Sequence, residues 1–551
     1  MVSRVVLFFL SGYLIFAGVS YGATIRVNTL ADVSNPNDQR CSLREAIDAS
    51  NLNVASGPIN PPCLLGCECA AGTPSATGPD VIVFDGSGTI APTTQLPALI
   101  DGKTRIDGWS APNAGPGLPP TVVLDGGPFQ ISRGLVLNSR WNAVRGLTII
   151  NFGSGIYIPG DLNWVCGNAI GTDGNVSLPN SSGVSITGDK NLIGTNADGA
   201  QDRQEMNIIS GNSWAGILIT AGDGTRIAGN RIGTNSNGTQ PIPNSVFGIN
   251  IFDGLGGGLV PTSLHIIGTN SDGQFDQVEG NLISGNAGKG VYISDGATDI
   301  TIAGNRIGLD RTGSVKLPNM GDGVQVYGTV NRVRIGTDGN GISDTLERNV
   351  ISGNAAYGLY LFGSDISVAG NYIGLNRAGD SRVPNDLGGI WVDPGLGGGG
   401  ATTIGGTSAT FRNIISGNTG NGIDITADNV TVQCNFIGTD VNGTADRGNT
   451  ADGVFISGSN AIVSDNRIYF NDVGLEITND TSTVDNNNID NATAGLVYNS
   501  PNPIVVTDNW WGDPSGPTYP GFSGIGDAII EQSTGVVTFD PWEGMEVPDC
   551  Q

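Results

Sequence analysis

Four near-copies of one six-residue phrase punctuate the chain: "NIISGN" from Asn207, "NLISGN" from Asn281, "NVISGN" from Asn349 and "NIISGN" from Asn413. Each is followed by a second phrase, "AGNRIG" around Asn230 and Asn305, "AGNYIG" around Asn371 and "QCNFIG" around Asn435. A third element, Gly-apolar-x-apolar, stands between them and recurs at Gly155, Gly183, Gly216, Gly248, Gly290, Gly323, Gly358, Gly389, Gly422, Gly453 and Gly474. A chain tied to such a period builds one small unit repeatedly, because no single unit can bury its own apolar side. Each unit reads as three short strands separated by Gly and Asn corners, and stacking them in parallel register makes a β-helix. In "NIISGN" the third residue points into the cylinder, while the Asn residues occupy corners where left-handed backbone is tolerated and amides can stack.

Composition agrees. Gly contributes 87 of 551 residues and aromatics only 6%, which suits turns and small strands better than helices. The expected fold is all-β, a parallel β-helix of about a dozen coils, roughly 60 Å long at one strand spacing per coil. Its open ends need covers, since they expose strand edges. At the front, "CSLREAIDASN" places Ser42 three residues before Glu45, a capping box that opens a capping helix. At the back, Trp510 and Trp511 form a flat lid, with the following Pro and Gly ending the ladder.

The stretch "TIRVNTLADVSNPNDQRCSLREAIDASN" resembles the N-terminal motif of bacterial CSLREA-domain proteins, and the coils resemble their right-handed parallel β-helix repeats of the pectate-lyase-like superfamily. The resemblance implies export and this fold. It supplies no agreed activity, because the wider superfamily spans lyases, hydrolases, epimerases and adhesins. The resulting division is 1–22 signal peptide, 23–120 N-terminal cap and first coils, 121–512 β-helix repeats, and 513–551 C-terminal cap and tail.

The first division follows from one Arg ahead of an apolar run that ends on Ser20, Tyr21 and Gly22. Cleavage before Ala23 is expected, with an uncleaved anchor as the alternative, and no later stretch is apolar enough to span a membrane. Four of the seven cysteines, Cys41, Cys63, Cys67 and Cys69, crowd the N-terminal region, which points to disulfides there in an exported, secreted or cell-surface protein. The net charge of −26 disfavours nucleic acid as a partner. The one histidine, His265, reads as a strand residue. It rules out a zinc site built on paired histidines.

Alternation along the Gly-apolar strand turns one residue per coil outward. In the later coils these positions, with the next outward ones, supply Tyr292, Tyr327, Tyr360, Phe362, Trp391, Phe455 and Glu476. Rings stack on sugar faces and acids accept hydroxyl hydrogen bonds, so the stripe is a candidate surface for polysaccharides or surface glycans. The alternatives are cover by loops or simple cross-strand stacking within a structural spacer. Asp393 and Asp424 lie on adjacent coils at a diagonal of roughly 7–8 Å. That is within the roughly 6.5–9.5 Å of an inverting glycosidase pair, so a glycoside hydrolase or lyase is the competing class.

Acidic loops form the last candidate. "TNADGAQDRQEMN" brings Asp198, Asp202 and Glu205, and "TNSDGQFDQVEGN" repeats them as Asp272, Asp276 and Glu279. A looser copy holds Asp338, Asp344 and Glu347. Oxygen ligands in a Gly-turned loop suit Ca2+, although the spacing departs from the EF-hand and turn formation is the competing explanation. No cofactor is expected to be required.

Overall fold

The computed structural model describes residues 22–35, 38–55, 68–76, 78–127, 131–254, 262–395 and 401–550. The expected signal peptide, save Gly22, and the cysteines Cys63 and Cys67 lie outside them. Among the described residues the chain winds as a right-handed parallel β-helix whose three sheets hold 15, 14 and 15 strands. That is a few coils more than the repeat count suggested, and roughly 70 Å of rod at about 4.8 Å per coil. Sheet 1 begins at Thr24–Val27, sheet 2 at Gly88–Ile90 and sheet 3 at Arg133–Val136, and from Ala143 to Tyr498 each coil contributes one strand to each in turn.

One Ile, Leu or Val per strand stacks on its counterpart in the next coil, as in Ile249, Val291, Val324, Leu359, Ile390 and Ile423, all fully buried. The corners explain the repeated phrase. Its first Asn belongs to a buried amide ladder running from Asn168 to Asn509, and its second to another from Asn180 to Asn491, which ends on Asp527. Asn305 shows the bonding of one rung. Its Nδ2 donates to Asn349 Oδ1 at 3.0 Å and to the Ile267 carbonyl at 2.8 Å. Its Oδ1 accepts from the backbone N and Nδ2 of Asn281 at 3.1 and 2.9 Å. The amide thus satisfies backbone groups that the corner would otherwise leave buried and unpaired.

A third, shorter column of inward polar residues lines the corner before sheet 1: Thr104, Asn142, Asn163, Asn191, Thr225 and His265. His265 is therefore a strand-entry residue, its Nδ1 accepting the Thr225 N–H at 3.1 Å. Beyond it the column turns apolar at Ile300, Val333 and Ile366.

Both ends are covered. The helix Leu43–Leu52 opens with the expected capping box: Ser42 Oγ accepts from Glu45 N at 3.2 Å and Glu45 Oε2 from Ser42 N at 3.0 Å. It lays Leu43, Ala46 and Ile47 against the first strand, and the Cys41–Cys69 disulfide ties it down. At the other end Trp510 and Trp511 are buried as the lid reading expected, but sheet 3 continues past them through Gly526–Glu531 and Pro517–Thr518. The tail then runs back along the rod to a Cys434–Cys550 disulfide. Cys166 is buried and has no disulfide partner among the described residues.

Two outcomes follow. Asn305→Ala strips partners from several buried groups at once and is expected to cost about 2–4 kcal/mol of unfolding free energy, with faster hydrogen exchange at Asn281; unchanged stability would make the ladder incidental. Burial holds His265 neutral, its pKa lowered to about 4, with Asp223 opposing the shift. The unfolded chain takes up the proton at about 6.5, so this stability is complete above pH 6.5 and lost as pH falls towards 4, on the order of 3 kcal/mol. His265→Asn, which keeps an acceptor for Thr225, is expected to flatten the thermal melting temperature across that window.

Candidate functional site

The outward residues of sheet 3 stack in the register that alternation implies. Asn250, Tyr292, Gln325, Tyr360, Trp391, Asp424, Phe455 and Glu476 are successive cross-strand partners, one per coil. From Tyr292 onward each is half-buried, so the stripe is neither core nor fully covered. A second column beside it holds Tyr327, 41% exposed, edge-to-face with Phe362 at 4.8 Å.

Alternation alone misses a third column, formed by the residue before each glycine. A side chain at Gly358 would meet the Asn385 amide at 2.8 Å, so the glycine faces the amide ladder and bends the strand. The residue before it then turns outward. Tyr357 thereby comes within 5.4 Å of Trp391, which also meets Tyr360 edge-on at 4.7 Å. Phe247 stacks on Tyr292 at 5.0 Å, with the Lys289 ammonium over both rings. Asn421 and Asp452 occupy this column in the later coils. The Gly in every repeat was the available signal, since only a bend explains its regularity.

The carboxylates divide between these columns. Asp393 Oδ2 accepts the Tyr360 hydroxyl at 2.5 Å and its Oδ1 accepts Gly395 N at 3.0 Å. Burial and that bond push the Tyr360 phenol well above its ordinary range. Asp424 instead turns to Asn421 Nδ2 at 2.5 Å and to the Tyr357 hydroxyl, and burial raises its pKa. The two aspartates predicted as a pair thus have separate partners. Electrostatically Asp424 belongs with Asp452 and Glu476 on the following coils. Burial, then the charges of Glu476, Asp424 and Asp472, pushes the Asp452 carboxyl up to about 7. Such a group can hold or release a proton near neutrality beside an array of rings.

The acidic loops use their oxygens on themselves. Asp198 accepts from Asn196 Nδ2 and Ala200 N, Asp202 from Gly199 N, and Glu205 from Thr195 Oγ1 and Asn196 N. Asp272, Asp276 and Glu279 repeat these bonds to Asn270, Gly273 and Asn270 N, with Arg226 also on Glu279. Burial raises Glu205 to about 7. Among the described residues, three loop carboxylates converge within 4.8 Å only in the looser copy, Asp338, Asp344 and Glu347. Within it Glu347 already accepts from Arg334, Ser271 and Asp338 N.

Known proteins add little. No family model matches the chain, and no curated protein does. Among solved structures, the A-module of Azotobacter vinelandii mannuronan C-5 epimerase AlgE6 aligns over 84% of this chain and 92% of its own, at 13% identity and TM-score 0.33. The Dettilon tailspike protein aligns over 75% and 62%, at 13% identity and TM-score 0.30. The PL6 family polysaccharide lyase Pedsa3628 from Pseudopedobacter saltans aligns over 84% and 88%, at 11% identity and TM-score 0.22. Scores this low transfer no residue or activity. The β-helix assignment rests on the strand pairing itself.

Asp452 supplies a test of the site's electrostatics. Its raised carboxyl pKa costs stability as pH rises from about 4 towards 7, because the folded state resists ionisation that the unfolded state accepts. Asp452→Asn is therefore expected to raise the melting temperature at pH 8 and not at pH 4, and Glu476→Gln to produce part of the same gain. Equal melting curves for variant and parent at pH 8 would remove the carboxylate cluster as a strained feature.

Proposed function

We propose that the outer face of sheet 3 binds polysaccharide, in an exported protein that acts at a surface or in an extracellular matrix without needing catalysis. The observation that supports this most directly is the contiguous group Tyr357, Tyr360 and Trp391. Their rings lie within 4.7–5.4 Å across neighbouring coils, and their polar edges are fixed to Asp424, Asp393 and Thr426. Rings held by their edges on a rigid ladder lose little freedom when a sugar stacks on them. Polar groups on the neighbouring strands, Gln325 and Asn421, with Glu476 farther along the stripe, suit hydroxyl hydrogen bonds. The two disulfides fit an oxidising compartment.

A second reading, a glycoside hydrolase or lyase, is favoured by one observation, the Asp452 carboxyl near 7 beside Asp424. A proton donor and a carboxylate acceptor on adjacent coils are the minimum for such chemistry. In this reading the acid–base pair is Asp452 with Asp424 rather than Asp393 with Asp424.

One experiment separates the readings: a glycan array and polysaccharide pull-down with and without Ca2+, repeated on the Tyr360→Ala, Trp391→Ala double variant. Loss of about tenfold or more in affinity is expected from two stacking contacts. Reducing-end or unsaturated-sugar release from any bound polymer, abolished by Asp452→Asn while binding persists, selects the enzyme. Equal retention by parent and variant would dismiss the ring face.

A further inference from the structure

Sheet 2 carries an arrangement at odds with the charge of the chain. Acidic residues outnumber basic ones 51 to 25, yet Arg231, Arg306, Arg311 and Arg377 gather on one stretch of its outer side with no ion pair or side-chain hydrogen bond among the described residues. Arg231 and Arg306 belong to sheet 2, in Arg231–Ile232 and Arg306–Ile307, and Leu282 alone stands between them in the register. That separation is about 10 Å, two strand spacings. Arg311 and Arg377 lie in the turns that follow the sheet in alternate coils. Those turns stack through Arg311 N to Gly238 O and Arg377 N to Gly313 O, both 2.8 Å.

Two glycines bring the four side chains into pairs. A Cβ at Gly238 would lie 3.1 Å from Arg311 Cβ and 3.3 Å from Arg231 Nε. One at Gly313 would lie 2.7 Å from Arg377 Cβ and 3.4 Å from Arg306 Cδ. Each bare turn therefore lets one sheet arginine and one turn arginine share a spot. Arg306 Nε is buried and makes no hydrogen bond. Burial together with the neighbouring guanidiniums lowers the pKa of Arg231 and Arg306. Asp310 partly offsets the shift at Arg306, but it makes no ion pair with it and spends its Oδ1 on Thr312 Oγ1 and the N–H groups of Ser314 and Val315. Packing alone gives no reason to withhold a counter-ion in so acidic a chain, and clustering like charges without one costs stability.

We propose that Arg231 with Arg311, and Arg306 with Arg377, form two halves of a binding site for an acidic glycan, each half taking one sulfate or carboxylate group. Planar guanidiniums match oxyanions with paired N–H donors. A sparsely charged glycan meets two positive spots about 10 Å apart and leaves the surrounding acids unopposed. A nucleic acid, with a charge about every 1.7 Å of duplex, does not. The site lies on a different sheet from the rings and does not rest on their role.

Isothermal titration with tetragalacturonate, a sulfated galactan tetrasaccharide and a neutral galactan tetrasaccharide tests it. At least one acidic probe is expected to bind about tenfold or more tighter than the neutral one, weakening with salt. The arm that binds distinguishes carboxylate from sulfate. Arg306→Ala, Arg377→Ala is expected to abolish that preference, and the Tyr360→Ala, Trp391→Ala variant to retain it. In the unmodified protein the same probe should protect Arg311 and Arg377 from phenylglyoxal, a readout independent of variant folding. No preference over the neutral sugar, no protection, or tighter binding of an oligonucleotide would overturn the assignment.

Discussion

The buried asparagine ladders are the interaction on which the molecule depends. A β-helix corner must turn the chain within a few residues and bury the turn against the next coil, where water cannot reach the peptide groups. An Asn side chain matches the peptide's own donor and acceptor, so each amide can bond to the amide above and to the backbone below. Because every rung requires its neighbours, the ladder also fixes register: a coil displaced by one residue would place Ile208 or Leu282 where Asn207 or Asn281 accepts, and expose the core. Core stacking then follows from the corners.

This division of labour explains how much was legible in advance. Periodic elements announced themselves, because each coil solves the same corner problem with the same residues, and the capping box at Ser42 and Glu45 is a local pattern that needs no tertiary information. The outward stripe was legible for the same reason, since alternation is local. What sequence could not show was the bend at each glycine. Whether Gly358 faces outward or towards Asn385 depends on the coil above, and with it the placement of Tyr357 and Asp452. Partner choice was hidden for a similar reason: Asp393 and Asp424 sit on adjacent strands, yet rotamers set by Tyr360 and Asn421 send their carboxyls to different neighbours.

The acidic loops put their carboxylates to an internal use. Their regular acids resemble ligand sets, yet each copy uses them to satisfy backbone N–H groups that the loop exposes, at Asn196, Asn270 and Asp338. Glu205 and Glu279 return over the loop to close it, as the corner asparagines do inside the cylinder. Oxygen atoms in a turn are first of all acceptors for that turn.

The same reasoning separates the two charged features of the surface. Acids in the loops have donors, as does Asp424 on sheet 3, while the carboxylates of Asp424, Asp452 and Glu476 crowd together along the stripe. On and beside sheet 2 the four arginines have no ion pair or side-chain hydrogen bond among the described residues. A solenoid transmits little between coils other than nearest neighbours, so neither cluster can be compensated from a distance. Each must be balanced where it stands, by water at some cost or by a ligand of matching charge. The rod thus carries two unlike surfaces on adjoining sheets, one ring-lined and acidic, the other cationic. Outward residues from several successive coils determine each, and each can change without disturbing the ladders beneath.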